Sequence, residues 1–241
     1  MFERDIPVFV LILSCIYWIA LPKRRFPLSE EKIVRNCSPT LAGIKTGNLF
    51  SCPYESLGTL VEDISNFNLM LNSRGVYVAL LRLDTGKALL YVFRPDRLAR
   101  DLRKEDAALL LQDKGYDPSS SEQCICRLSR RLEEETEFPH EIGLFLGYPP
   151  ADVSGFIENR GRNCKCTGCW KVYFDEQNAL RLFERYHKCT EVYCHLWRDG
   201  FPLSRLAIRQ ATGQQKIKEN VLFCPLAWQN QIKTVRMDLY E

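Results

Sequence analysis

Cysteine and histidine carry the widest chemical range in this chain, and they are unevenly placed. Three cysteines fall in one short run, Cys164-Lys-Cys166-Thr-Gly-Cys169, with Cys189 further on and His187, Cys194 and His195 around it. Thiolates at C-x-C-x-x-C spacing can converge on one metal ion, and Cys189 or a histidine would complete a tetrahedron, as in a zinc site. Four cysteines would equally suit an iron–sulfur cluster. A doubled C-x-x-C would be far more specific, and buried free cysteines are common and inert. The fourth ligand must also fold back from a distant segment. Zinc, an iron–sulfur cluster or unligated thiols all stay open on this motif.

A second constellation is nucleophilic. Cys37 precedes Ser38-Pro39, which reads as a helix start, and free N–H groups at a helix N-terminus lower a thiol pKa. His140 with Glu141 offers a base and an orienting carboxylate, giving a Cys37/His140/Glu141 set for hydrolase or transferase chemistry. Adjacent residues on a helix point in different directions, however, so Glu141 is poorly aimed at its neighbour. A histidine in a Phe-Pro-His turn is also an ordinary packing or capping residue. Two further matches fail. His140-Glu-Ile-Gly-Leu144 has leucine where a zinc-protease helix needs its second histidine. Gly43-Ile-Lys-Thr-Gly47 lacks the spacing of a phosphate-binding loop, which leaves Lys45 as an ordinary solvated lysine. The aromatics Phe145, Tyr148, Phe156, Trp170 and Tyr173 read most simply as core.

The elements that must position these residues follow from periodicity and punctuation. Residues 55–72 repeat apolar side chains at helical spacing, through Leu57, Leu60, Val61, Ile64, Phe67 and Leu71. Residues 76–83 and 88–94 are β-rich runs separated by Asp84-Thr85-Gly86-Lys87, a hairpin signal. Pro95 opens a helical stretch through Leu98, Leu102 and residues 107–111, closed by Gly115. Ser119–Ser121 cap another helix, with Ile125, Leu128 and Leu132 inward. Pro139 starts a short helix over 140–146, Pro149-Pro150 breaks the chain, and 151–159 makes a second helix. A strand over 170–174 leads to Asp175, which caps a helix carrying Ala179, Leu182, Phe183, Tyr186, Tyr193 and Trp197. A helix is expected from about residue 39 to Lys45. The expected fold is α+β: a mostly helical single domain with a small, mainly antiparallel sheet including one β-hairpin.

Length and composition bound what this domain can be. At 241 residues the chain can bury roughly 70% of its unfolded surface, so it needs no disulfide staples. The net charge is +3, and residues 1–27 supply two of it, four cations against two anions. The body is therefore nearly neutral, and nucleic acid is not an expected partner. Eleven cysteines would suggest a disulfide framework in a secreted chain, and buried, reactive or metal-bound thiols in a reducing compartment. A cytoplasmic location suits the second.

Residues 6–22 carry no charge and are followed by Lys23-Arg24-Arg25. Three readings compete. The stretch is a short membrane anchor that keeps the C-terminal side cytoplasmic. It is a signal peptide, against which its n-region is not positive and no small-x-small site follows. Or it lies upstream of the true start, with Leu28 standing where an initiator would. The expected organisation is a hydrophobic segment over 1–27, one domain over 28–206, and an extension over 207–241 whose apolar run is broken by Pro225.

Four stretches together resemble a known family. They are Cys37-Ser-Pro-Thr-Leu-Ala-Gly-Ile-Lys, Arg94-Pro-Asp-Arg-Leu, FPHEIGLFLGYPPADVSGFIENRG from Phe138, and WKVYFDEQNALRLFERYHKC from Trp170. They resemble the bacterial domain-of-unknown-function family 3793, over about residues 30–206. The resemblance implies a small single-domain protein that starts near Ser29, and it supplies no reaction, ligand or catalytic residue. Three functions are left standing. The first is a thiol- or metal-based binding or redox module centred on Cys164, Cys166, Cys169 and Cys189. The second is a hydrolase or transferase using Cys37 and His140. The third is a ligand-binding or interaction module without chemistry.

Overall fold

Ser29 begins the first helix. Its side chain accepts a hydrogen bond from the Lys32 amide, and Glu30 and Glu31 sit in the first turn, where the helix dipole favours negative charge. The helix, α1, spans Glu30–Leu41 in a computed structural model that describes residues 28–135, 137–209 and 217–222. This corrects the expected start at residue 39. Cys37 lies inside α1, and Pro39 falls in its last turns, where the chain ends the helix two residues later.

Strand β1, Gly47–Pro53, follows directly, in a stretch the sequence reading leaves without an element. It pairs antiparallel with β3, Lys87–Phe93, in register from Gly47↔Phe93 to Pro53↔Lys87. β2, Tyr77–Asp84, pairs with the other side of β3 as the expected hairpin, giving the order β1-β3-β2. Ala88 to Phe93 of β3 are buried without alternation, as befits a central strand covered on both faces.

The outer edge of β2 is closed by side chains. Asn68 of α2, Leu57–Leu71, donates to the Val78 carbonyl at 2.8 Å and accepts from the Val78 amide at 2.9 Å. Ser129 donates to the Leu81 carbonyl from α5, Ser121–Glu134. An exposed edge would invite pairing with another chain; here two helices occupy it. The stretch opened by Pro95 is two helices, α3 Pro95–Leu102 and α4 Glu105–Asp113, because Lys104 leaves the helical conformation.

Arg94, only 1% exposed, ties the body together. Its Nε donates to the Thr40 carbonyl at 2.6 Å, and its Nη2 to the carbonyls of Leu41 at 2.6 Å and Ile208 at 2.8 Å. Nη1 reaches the Arg74 carbonyl at 3.2 Å. Thr40 and Leu41 close α1, so the guanidinium satisfies carbonyls that a helix end leaves without partners, at the pole that favours a cation. Burial draws its pKa down to about 10, so it stays charged at neutral pH.

The remaining elements build the site. These are α6 Ile142–Phe145, α7 Pro150–Glu158, a small hairpin of β4 Cys166–Thr167 and β5 Lys171–Val172, and α8 Glu176–Arg198. As expected, Asp175 caps α8, accepting from the Asn178 amide. α8 packs along α1, and two short helices, α9 Leu203–Leu206 and α10 Glu219–Leu222, complete the α+β domain. Beside the main core, Trp170, Val172, Ala179 and Tyr186 form a smaller one between the hairpin and α8. Among the described residues no helix is long and apolar enough to cross a membrane. The readings for residues 1–27, and most of 207–241, lie outside the described residues.

Candidate functional site

The stretch from Phe138 to Pro150 turns tightly before it meets α7. Gly147, at φ +77°, brings the chain against Thr46, where an added Cβ would come within 2.6 Å of Oγ1. Thr46 is fixed in turn: its hydroxyl donates to Asp101, and its carbonyl accepts from the Arg94 amide. Tyr148 then stacks on Trp170 with centroids 4.8 Å apart, and Trp170 meets Phe183 edge-on at 4.6 Å. Lys45 is buried, not solvated as the sequence suggests. Its Nζ lies 5.3 Å from the Tyr148 ring and 5.9 Å from that of Tyr186.

Asp152 holds the hairpin to α7. It is 3% exposed and accepts three hydrogen bonds, from Trp170 Nε1 at 2.8 Å and from the amides of Tyr173 at 2.8 Å and Phe174 at 3.0 Å. Its donors lie around twenty residues away, so nothing local marks it.

Between these elements lies a cavity of about 50 Å³, lined by His140, Asp152, Phe156, Cys169, Trp170 and Lys171 among others. It has room for a few waters or one small organic group. The half-buried His140 ring meets Phe156 edge-on at 4.9 Å, and its Nδ1 is buried without a hydrogen-bond partner. Burial lowers the His140 pKa below its ordinary value, with Glu141 and Glu137 pulling the other way. The ring is therefore neutral at neutral pH and able to accept a proton. Cys169 borders the same cavity from the loop between β4 and β5, where Gly168 lets the backbone lie on Phe183. A Cβ at Gly168 would come within 2.2 Å of that ring.

The other expected site residues fall elsewhere. Cys37 is fully buried in α1, away from any helix N-terminus, and is not among the residues lining the His140 cavity. Burial pushes its thiol well above the ordinary range, against the pull of Lys45. Glu141 turns from His140 into a buried ion pair. Its Oε1 accepts from the Tyr116 hydroxyl and from Arg131 Nη1, both at 2.6 Å. Arg131 is shared with Glu135 at 2.7 Å and lies over the Tyr116 ring.

The cysteines do not converge as a tetrad. Among the described residues no three His, Cys, Asp or Glu side chains are grouped so as to hold a metal ion. Cys164 lies 3.5 Å from the Thr167 hydroxyl. Cys166 and Cys169 rest on the Trp170–Tyr186 cluster. Cys189 sits on α8, its thiol pushed up to about 11 by burial, with Arg185 opposing. The zinc or iron–sulfur reading of Cys164, Cys166, Cys169 and Cys189 thus has no assembled donor set. What the structure brings together instead is one cysteine and the histidine, which the sequence assigned to separate sites.

No curated protein and no solved structure matches the chain. The family model described as Protein of unknown function (DUF3793) matches residues 33–207, which takes in most of α1, the three-stranded sheet, the cavity and α8. The chain belongs to that family.

Proposed function

We propose that the protein is a thiol-based module in which Cys169 is the reactive group and His140 the base that takes its proton. The supporting observation is the shared cavity, lined both by a neutral imidazole whose Nδ1 has no partner and by the Cys169 thiol. Such a pair is the minimal form of an activated nucleophile. The wall is mostly apolar and the volume small, so the group that reaches the thiol is small and apolar, either a whole molecule or the tip of a larger one.

The test is capping by methyl methanethiosulfonate, mapped to each cysteine by peptide mass spectrometry over time. Cys169 is expected to react, and His140→Gln to slow that reaction about a hundredfold, the low end of general-base effects. Capping of Cys164 and Cys166 is expected to stay unchanged, as is the melting temperature. Equal Cys169 rates with and without the imidazole would overturn the reading.

A further inference from the structure

The proposed thiol has a second cysteine beside it. Cys166 and Cys169 stand in C-x-x-C spacing across the turn of the small hairpin. The ladder pairs Cys166↔Val172 and Thr167↔Lys171, leaving Gly168, Cys169 and Trp170 as the loop. The Gly168 amide donates to the Trp170 carbonyl at 3.0 Å and closes that loop. Neither cysteine is in a disulfide, both are partly exposed, and both lie against the same Trp170–Tyr186 cluster. Cys164 instead contacts the Thr167 hydroxyl.

The geometry points to Cys166 and Cys169 as a dithiol that closes into a disulfide within the hairpin loop and so removes the Cys169 thiol from the His140 cavity's chemistry. This rests on Cys169 being the thiol of the site. Three residues of chain reach at most about 10 Å when extended. A disulfide needs Cα atoms about 4.4–6.8 Å apart, a separation that a three-residue spacing across a hairpin turn can meet. Once bonded, Cys169 has no proton for His140 to take, and the oxidised hairpin shuts the site off.

The oxidant class is a low-molecular-weight disulfide. Cys169, its proton passed to His140, attacks one sulfur of that disulfide. A mixed disulfide forms on Cys169 and the first half of the oxidant departs as a thiolate. Cys166 then attacks the Cys169 sulfur. The Cys166–Cys169 bond forms, the second half departs, and the two protons end on the departing thiols. Two cysteines are oxidised and one disulfide is reduced. Burial, Glu176 and Cys164 all raise the pKa of the Cys166 thiol, which disfavours it for the first attack.

The full chain is incubated with oxidised glutathione at neutral pH, quenched with an alkylating reagent and digested. The expected product is a peptide whose Cys166 and Cys169 have together lost two hydrogens and take no alkyl group. Cys164→Ser is expected to leave that product intact. Cys166→Ser is expected to raise the glutathione adduct on Cys169 about tenfold, because the resolving attack is gone. A stable glutathione adduct on Cys169 of the unaltered chain, or pairing of Cys169 with Cys164, would overturn the switch while leaving the thiol reading standing. A Cys169 that takes neither glutathione nor the methylthio cap would end both.

Discussion

Arg94→Met is expected to destabilise the domain more than any other single substitution, by about 4 kcal/mol. The side chain serves four carbonyls, those of Thr40, Leu41, Arg74 and Ile208. Methionine fills much of the space and donates nothing, and each buried acceptor left dry costs about 1–3 kcal/mol. Set against a whole stability of about 5–15 kcal/mol, that leaves a domain folded only marginally. Arg94→Lys separates charge from geometry. The ammonium keeps the cation at the end of α1 but lacks the planar fork that reaches separate carbonyls, so about half the loss is expected to remain. Urea unfolding followed by circular dichroism measures both. A loss under about 1 kcal/mol for Arg94→Met would mean that water replaces the guanidinium, and that this residue is not the tie between α1, the sheet and the chain at Ile208.

Asp152→Ala is expected to cost about 3 kcal/mol and to release the β4–β5 hairpin from α7. The substitution strands three donors, the Trp170 indole and two backbone amides. Asp152→Asn is expected to lose less, because its amide oxygen can still serve the Tyr173 and Phe174 amides while its NH2 faces the Trp170 N–H, donor against donor. Hydrogen exchange is the discriminating measurement. The Tyr173 and Phe174 amides are expected to exchange far faster in Asp152→Ala, with those of β3 protected as before. In the same variant, capping of Cys169 is expected no longer to depend on His140, since the hairpin that sets the two together has come free. Unchanged protection at Tyr173 and Phe174 would show that the Trp170–Tyr186 cluster alone holds the hairpin.

What could be read from the sequence was local. The β2–β3 turn, the periodicity of α2, the serine cap of α5 and the aspartate cap of α8 each announce themselves within a few residues, and the structure has all four. β1 went unread because its residues, Gly-Asn-Leu-Phe-Ser-Cys-Pro, have little strand preference of their own, and pairing with β3 makes them a strand. Pro39, a common first-turn residue, makes Cys37 read as a helix N-terminus, but the earlier Ser29-Glu30-Glu31 start takes precedence and turns the same cysteine into core.

The site was legible only in pieces. His140 and the cysteine loop were each singled out, one as a base and the other as a metal motif. Their meeting depends on Asp152 pinning the hairpin and on the turn that stacks Tyr148 over Trp170, contacts that span about twenty residues. The same holds for Arg94, whose partners lie 20 to 114 residues away in the chain. Short-range spacing can nominate a thiol. It does not say which base a fold will set against it.

The central claim is that Cys169 and His140 face one cavity and act on one another. The most direct measurement caps Cys169 with a methylthio group in a chain whose other loop cysteines, Cys164 and Cys166, are serine, and follows the histidine ring signals by nuclear magnetic resonance. His140 is expected to shift on capping, because the added group enters the space beside its imidazole, while His187 and His195 on α8 stay where they were. A fully capped Cys169 with the His140 signals unmoved would contradict the account.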